Sequence, residues 1–99
     1  MPEVEVTRDD ERSRYEARVA GRVAGFTEFV LTAHAITFVH TEVDPAFEGQ
    51  GVGSALAKGA LDDALRRGDR RVKVVCPFLR AWVARHPDYE RRLAPAGGH

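Results

Sequence analysis

The sequence predicts an α/β fold: a mixed, mostly antiparallel sheet with two main helices. Three observations carry this expectation. The first half alternates polar and apolar residues in runs separated by turn signals, the pattern of strands in meander order. An apolar period of 3.6 residues then opens at Val52 and continues to Leu65, the pattern of an amphipathic helix. A second short alternation, Arg71 to Cys76, follows that helix. The helix is therefore a crossover, and the strands on either side of it are parallel.

Each element can be justified in order. Glu3 to Thr7 alternates charged and apolar residues, and Arg8-Asp9-Asp10-Glu11 reads as a turn. Arg12 to Ala20 alternates again, with Tyr15, Ala17 and Val19 on one face. Gly21 stands where a hairpin turns, and Val23 to Leu31 forms the next strand. After the break at Thr32-Ala33-His34, Ala35 to Val43 places Ile36 and Phe38 on one face and Val39 and Val43 on the other. Apolar residues on both faces mark a central strand. Asp44-Pro45 ends it, because proline donates no ladder hydrogen bond. In the helix, Val52, Leu56, Ala60 and Ala64 share a row with Ala57, Leu61 and Leu65 beside it, and Gly68 stops it. Val72, Val74 and Cys76 share one face of the last strand. Pro77 opens a second helix, buried through Phe78, Leu79, Trp82 and Val83 and ended before Pro87. Asp88 to Leu93 adds a helical turn. Residues 1–93 are expected to form a single domain and residues 94–99 a loose tail.

Composition narrows the function. Fifteen Lys and Arg balance fifteen Asp and Glu, which argues against a dedicated nucleic-acid binder. Basic residues nevertheless crowd the last third, from Arg66 to Arg92, as a solvated face or a surface for an anionic ligand. One cysteine, Cys76, excludes an internal disulfide, and the four histidines show no metal-ligand spacing, so no metal is expected. No apolar run is long enough for a membrane span, and Met1 to Glu5 lacks the start of a signal peptide. The expectation is a cytoplasmic protein, monomeric, with no membrane partner.

The most informative stretch is Glu48-Gly49-Gln50-Gly51-Val52-Gly53-Ser54, directly after a strand and at the mouth of a helix. Glycines let backbone approach a ligand and aim successive N–H groups one way. The helix N-terminus adds unpaired donors and partial positive charge, which suits a phosphate or pyrophosphate. No glycine is followed by lysine, so this is not a Walker loop. Nor does it fit Gly-x-Gly-x-x-Gly, since Ser54 or Leu56 falls on the third glycine position.

The segment resembles motif A of the GNAT N-acetyltransferases, [Arg/Gln]-x-x-Gly-x-[Gly/Ala]. One position departs: Glu48 stands where Arg or Gln is usual, and its carboxylate would repel a pyrophosphate if it turned inward. The likeness extends to His40-Thr41-Glu42-Val43-Asp44-Pro45, to Cys76-Pro77-Phe78 and to Arg85-His86-Pro87-Asp88-Tyr89. Over residues 24–93 the chain is similar to the minimal GNAT-like family called YjdJ or GTLP-like. The resemblance implies a minimal GNAT fold whose parallel strands splay around acetyl-CoA (coenzyme A). It implies cofactor contacts from Val43, Glu48, Gly49, Gln50, Gly51, Val52, Gly53, Ser54, Pro77 and Phe78, and an amine acceptor, small molecule or protein.

That reaction needs a base for the amine, an N–H for the developing oxyanion and an acid for the departing thiolate. Cys76 ends the last strand directly before a helix, whose N-terminus favours a thiolate. It reads as acid, as nucleophile, or as a buried free cysteine. His40 and Glu42 lie two residues apart on one face, placed with Ile36 and Phe38. Either reads as the base, with a solvated strand end (Glu42) or a half-buried imidazole (His40) as the structural alternative. His86 reads as a helix-end cap, Tyr89 and Trp82 as core. The expectation is an acetyl-CoA-dependent N-acetyltransferase; the alternative is a non-catalytic acyl-CoA-binding or interaction module.

Overall fold

The structure is a computed structural model that describes residues 3–93; the expected tail over 94–99 lies outside them. Five strands, β1 (Val4–Asp9), β2 (Arg14–Val19), β3 (Arg22–Leu31), β4 (Ala35–Val43) and β5 (Arg71–Val74), form one sheet in sequence order. The first four pair antiparallel and β5 pairs parallel to β4, as the crossover requires. A 3₁₀ turn (Pro45–Phe47) leads into α1 (Val52–Arg67); α2 (Pro77–Ala84) and α3 (Pro87–Leu93) follow β5. The expected helical turn after Pro87 is thus a third helix. Among the described residues no helix is long and apolar enough to cross a membrane.

The β2–β3 turn is the two-residue kind with positive φ at both centres, Ala20 at 52° and Gly21 at 81°. Its backbone twist matches that of the flanking strands and sets the pairs Val19↔Arg22 and Arg18↔Val23; a bulge at Ala24 then shifts the register to Ala17↔Gly25. On the sheet face toward α1, the rings of Tyr15, Phe29 and Phe38 meet at centroid distances of 5.7 to 6.1 Å. Leu56, Ala57, Ala60 and Leu61 of α1 press on them with no exposure. Each such leucine contributes about 1.5–3 kcal/mol by leaving water. Gly68, at φ 64°, ends α1 as expected.

One expectation changes. The register passes from Glu28↔His40 to Phe29↔Phe38, so Val39 is an extra residue and β4 bulges there. A bulge inverts the alternation beyond it. Thr41 and Val43 turn toward the core, while His40 and Glu42 turn to the opposite face, not the face of Ile36 and Phe38. Exposure agrees: the side chains of His40 and Glu42 are 51% and 61% exposed, whereas Ile36 and Phe38 are buried.

Two contacts set how closely α1 lies on the sheet. A Cβ at Gly59 would stand 2.8 to 3.0 Å from the branch atoms of Val6, so only glycine admits β1 at this distance. At the other side, the Tyr15 hydroxyl donates to Asp63 at 2.7 Å. Burial and this bond push the Tyr15 phenol up to about 12. Burial opposes ionisation of Asp63, yet Tyr15 and Arg67 hold its carboxyl below the ordinary range.

Gly59→Ala is expected to lose about 1 kcal/mol in urea unfolding, overpacking outweighing the gain in helix propensity. In a Val6→Gly background the same change should stabilise, since all three Val6 atoms that crowd the new methyl, its Cβ included, are gone. The native state also holds the Tyr15 proton more tightly than the unfolded chain. This contribution is therefore complete below pH 10 and is lost as pH rises toward about 12. The difference between wild-type and Tyr15→Phe unfolding curves should show that fall.

Candidate active site

The parallel ladder is short. β4 and β5 stay in register from Ala35↔Arg71 to Phe38↔Val74. Beyond that pair, the N–H groups of Val75 and Cys76 both donate to the Phe38 carbonyl, at 3.0 and 3.1 Å. One acceptor takes two donors and the strands part. Val39 to Val43 runs on with no β5 partner. The result is a crevice at the carboxyl ends of two parallel strands, where open α/β sheets receive ligands.

Its floor is a buried chain of hydroxyls. The Cys76 thiol donates to Thr41 Oγ1 at 3.1 Å, Thr41 donates to Thr27 Oγ1 at 2.9 Å, and Thr27 donates to the His40 carbonyl at 3.2 Å. Cys76 is 3% exposed and Thr27 fully buried. Cys76 is also the N-cap of α2 but spends no side-chain bond on the cap; its thiol bridges the fork instead. Apolar side chains are exposed nearby: Val39 and Val75 directly follow the last paired residues, Phe38 and Val74, and Phe78 of α2, which the sequence suggested was buried, is 40% exposed.

The glycine-rich turn lies at one end of this crevice. Asp44 Oδ1 accepts from the Ala46 N–H and starts the 3₁₀ turn, while the Asp44 N–H is tied to the Ala24 carbonyl. The turn ends at Glu48, which is exposed. Gly49 and Gly51 take φ of 81° and 76°, and Gly51 is the N-cap of α1. The first helical bond there runs from Ala55 N–H to the Gly51 carbonyl. The N–H groups of Val52, Gly53 and Ser54 consequently have no helical acceptor. A Cβ on Gly53 would meet the Phe78 ring at 2.6 Å, so Gly53 also admits α2 beside α1. Ser54 Oγ accepts from Trp82 Nε1 at 3.0 Å, and Pro77 occupies the first turn of α2.

On the face away from α1, His40 Nε2 and Glu42 Oε2 are 2.7 Å apart. With Nε2–H donated to the carboxylate, Nδ1 keeps a lone pair able to take a proton. Beside them, Phe26 lies under the Arg14 guanidinium, 4.4 Å from the ring centroid. Arg14 and Arg18 flank Glu16, whose carboxyl is held below its ordinary range by Arg14 and, against burial, by Arg18. His86 serves structure: its ring stacks on Trp82 at 3.8 Å and Nδ1 meets the Trp82 carbonyl. Tyr89 donates to Asp62 and ties α3 to α1.

Residues 14–93 match the family model described as GCN5-related N-acetyl-transferase. The chain belongs to this family. Among curated relatives, the protein NATD1 of Bos taurus is 32% identical over 97 residues, covering 93% of this chain and 84% of the relative. The human protein NATD1 is 30% identical with the same coverage. The fold is shared with the ribosomal-protein-S18-alanine N-acetyltransferase of Escherichia coli, at a TM-score of 0.55 and 24% identity. That match covers 62% of this chain and 39% of the bacterial one, so the present chain spans well under half of that enzyme.

Fork, glycine turn and helix start thus come together around one crevice, with Cys76 beneath it and the His40–Glu42 pair on the far face of β4. Thr27 and Thr41 were not singled out from the sequence. Their one visible signal was a hydroxyl in each of two neighbouring apolar strands, and only the bulge turns Thr41 inward. Thr41→Val is expected to lose about 1–2 kcal/mol in urea unfolding, by stranding the groups on either side of it. Thr41→Ser should recover most of that loss.

Proposed function

We propose that the protein transfers an acetyl group from acetyl-CoA to an amine, and that the crevice between the diverging ends of β4 and β5 holds the cofactor. The observation that carries this reading is a fork opening beside an uncapped helix start. Free N–H groups beside two left-handed glycines answer the pyrophosphate of the cofactor, and exposed apolar side chains answer its pantetheine arm. Acetyl-CoA supplies the thioester whose acyl group is transferred.

In this reading the N–H groups of Val52, Gly53 and Ser54 bind the pyrophosphate, with Gly49, Gln50 and Gly51 shaping the approach. Val43, Pro77 and Phe78 wall the pantetheine channel. The unpartnered edge of β4 offers backbone N–H groups for the developing oxyanion. His40 accepts the amine proton at Nδ1 while Glu42 holds Nε2–H and stabilises the resulting imidazolium. Cys76, beneath the fork, is the proton source for the departing thiolate, for which its S–H turns from Thr41 toward the crevice. Glu48, exposed beside the cradle, works against the anion at a distance and lowers affinity rather than blocking the site.

Calorimetry with acetyl-CoA should give saturable one-to-one binding, tighter in Glu48→Gln. His40→Ala and Glu42→Gln should each lower turnover of a primary-amine panel by about 100-fold or more while leaving that binding intact. Binding without turnover on any amine would favour the non-catalytic module. No binding by wild type or Glu48→Gln at millimolar ligand would end the proposal.

A further inference from the structure

β5 is the edge of the sheet, and among the described residues no strand lies beyond it. Its inner side is satisfied: Arg71 N–H donates to the His34 carbonyl at 2.8 Å and Val75 N–H to the Phe38 carbonyl at 3.0 Å. Backbone groups alternate sides along a strand, so Val72 and Val74 turn their N–H and C=O to the open edge. Beside that edge is a cleft of about 720 Å³ whose other wall comes from α2 and α3. Val83, Ala84 and Leu93 form its apolar side, and Arg71, Lys73 and Arg80 line it against one acid, Glu90. Many arginines elsewhere pair with acids, as Arg14 with Glu16 and Arg67 with Asp63. Among the described residues Arg71, Lys73 and Arg80 have no such partner.

Charges on a short edge strand deter indiscriminate pairing. An apolar wall beside that edge does the opposite, since it offers burial to a chain laid against it. The two together select a chain instead of excluding all of them. We propose that this cleft docks an extended segment of a partner protein in which apolar and acidic residues alternate, added as a sixth strand beside β5. The period of two in a strand sends alternate side chains to opposite faces. One set then lies on Val83, Ala84 and Leu93, and the other beside Arg71 and Lys73. Main-chain bonds to Val72 and Val74 supply the attachment, and the charges its selectivity.

A second copy of the chain is the competing occupant, because Glu3-Val4-Glu5-Val6 has the same alternation at the opposite edge of the sheet. Pairing β1 of one molecule with β5 of the next would not close and would grow without limit. The partner segment is therefore favoured, and it does not depend on acetyl transfer.

The test titrates the full chain with a fluorescent octapeptide alternating glutamate and valine, read by anisotropy. Saturable binding is expected, with new exchange protection at the Val72 and Val74 amides. The double change Arg71→Glu/Lys73→Glu lies on exposed positions and should leave the unfolding midpoint unchanged. It should weaken this peptide about tenfold or more and favour one alternating lysine and valine. Methylating the peptide's backbone nitrogens on the β5 side should abolish binding. Absence of saturable binding, or indifference to charge exchange or to methylation, overturns the proposal. So do Val72 and Val74 amides already protected in the free chain, or mass growth with concentration in sedimentation equilibrium, because the edge is then covered from within or by another copy.

Discussion

The Phe38 carbonyl accepts from both Val75 and Cys76, and that shared acceptor ends the parallel ladder. On the other side of the same strand, Val39 has no partner in the β3 register, so β4 bulges where β5 leaves it. The two irregularities reinforce each other. The bulge bends and twists β4 away from its neighbour, while the Phe38 side chain, fully buried among Tyr15 and Phe29, anchors the bend to the core. A fork in a sheet exposes backbone that must otherwise be paired or wet. Here the core-side opening is closed by the hydroxyl chain from Cys76 through Thr41 to Thr27, so the crevice has a rigid polar floor under an apolar rim.

Around that fork the remaining parts are arranged by close approach. Gly53 lets the Phe78 ring lie on the first turn of α1, and Gly59 lets Val6 lie on its third. The helix is thereby held at its start and at its middle against elements that do not neighbour it in sequence. Its first N–H groups stay free because the N-cap is Gly51, which has no side chain to satisfy them. A serine or aspartate there would have to take the left-handed φ of 76° that a Cβ disfavours, so the backbone shape of the turn itself selects glycine and leaves the donors for a ligand.

The charged groups divide into two kinds. Some are fixed by pairing: Glu16 between Arg14 and Arg18, Asp63 among Tyr15, Arg66 and Arg67, Asp62 between Lys58 and Tyr89. Most of these pairs are local, within β2 or within α1; Asp63–Tyr15 ties α1 to the sheet, and Asp62–Tyr89 ties α3 to α1. Others stay exposed, among them the His40–Glu42 pair and the basic residues along β5. Nothing in the formal charge balance of the chain separates the two groups, since pairing is a matter of which elements meet.

Periodicity and turn chemistry were enough to read three or four strands in the first half, one more after the crossover helix, and the glycine stop of that helix. A period of 2 or 3.6 is a local property, and Gly21, Gly68, Pro45 and Pro77 mark boundaries through their own backbone limits. The glycine-rich turn was legible for the same reason: the left-handed φ of Gly49 and Gly51 is a demand that the residue type itself expresses. The face on which His40 and Glu42 stand was not legible. Alternation counted along β4 carries them with Phe38, and only pairing with β3, where Glu28 meets His40 and Phe29 meets Phe38, inserts Val39 and reverses them. Thr27, Thr41 and Cys76 lie far apart in the chain and on three different strands or strand ends, so their joining follows from register alone. The sequence by itself determined which segments are strand, turn and helix, because those preferences act within a few residues. Tertiary structure alone decided where the strands part and which side chains face the gap, because register is set between strands.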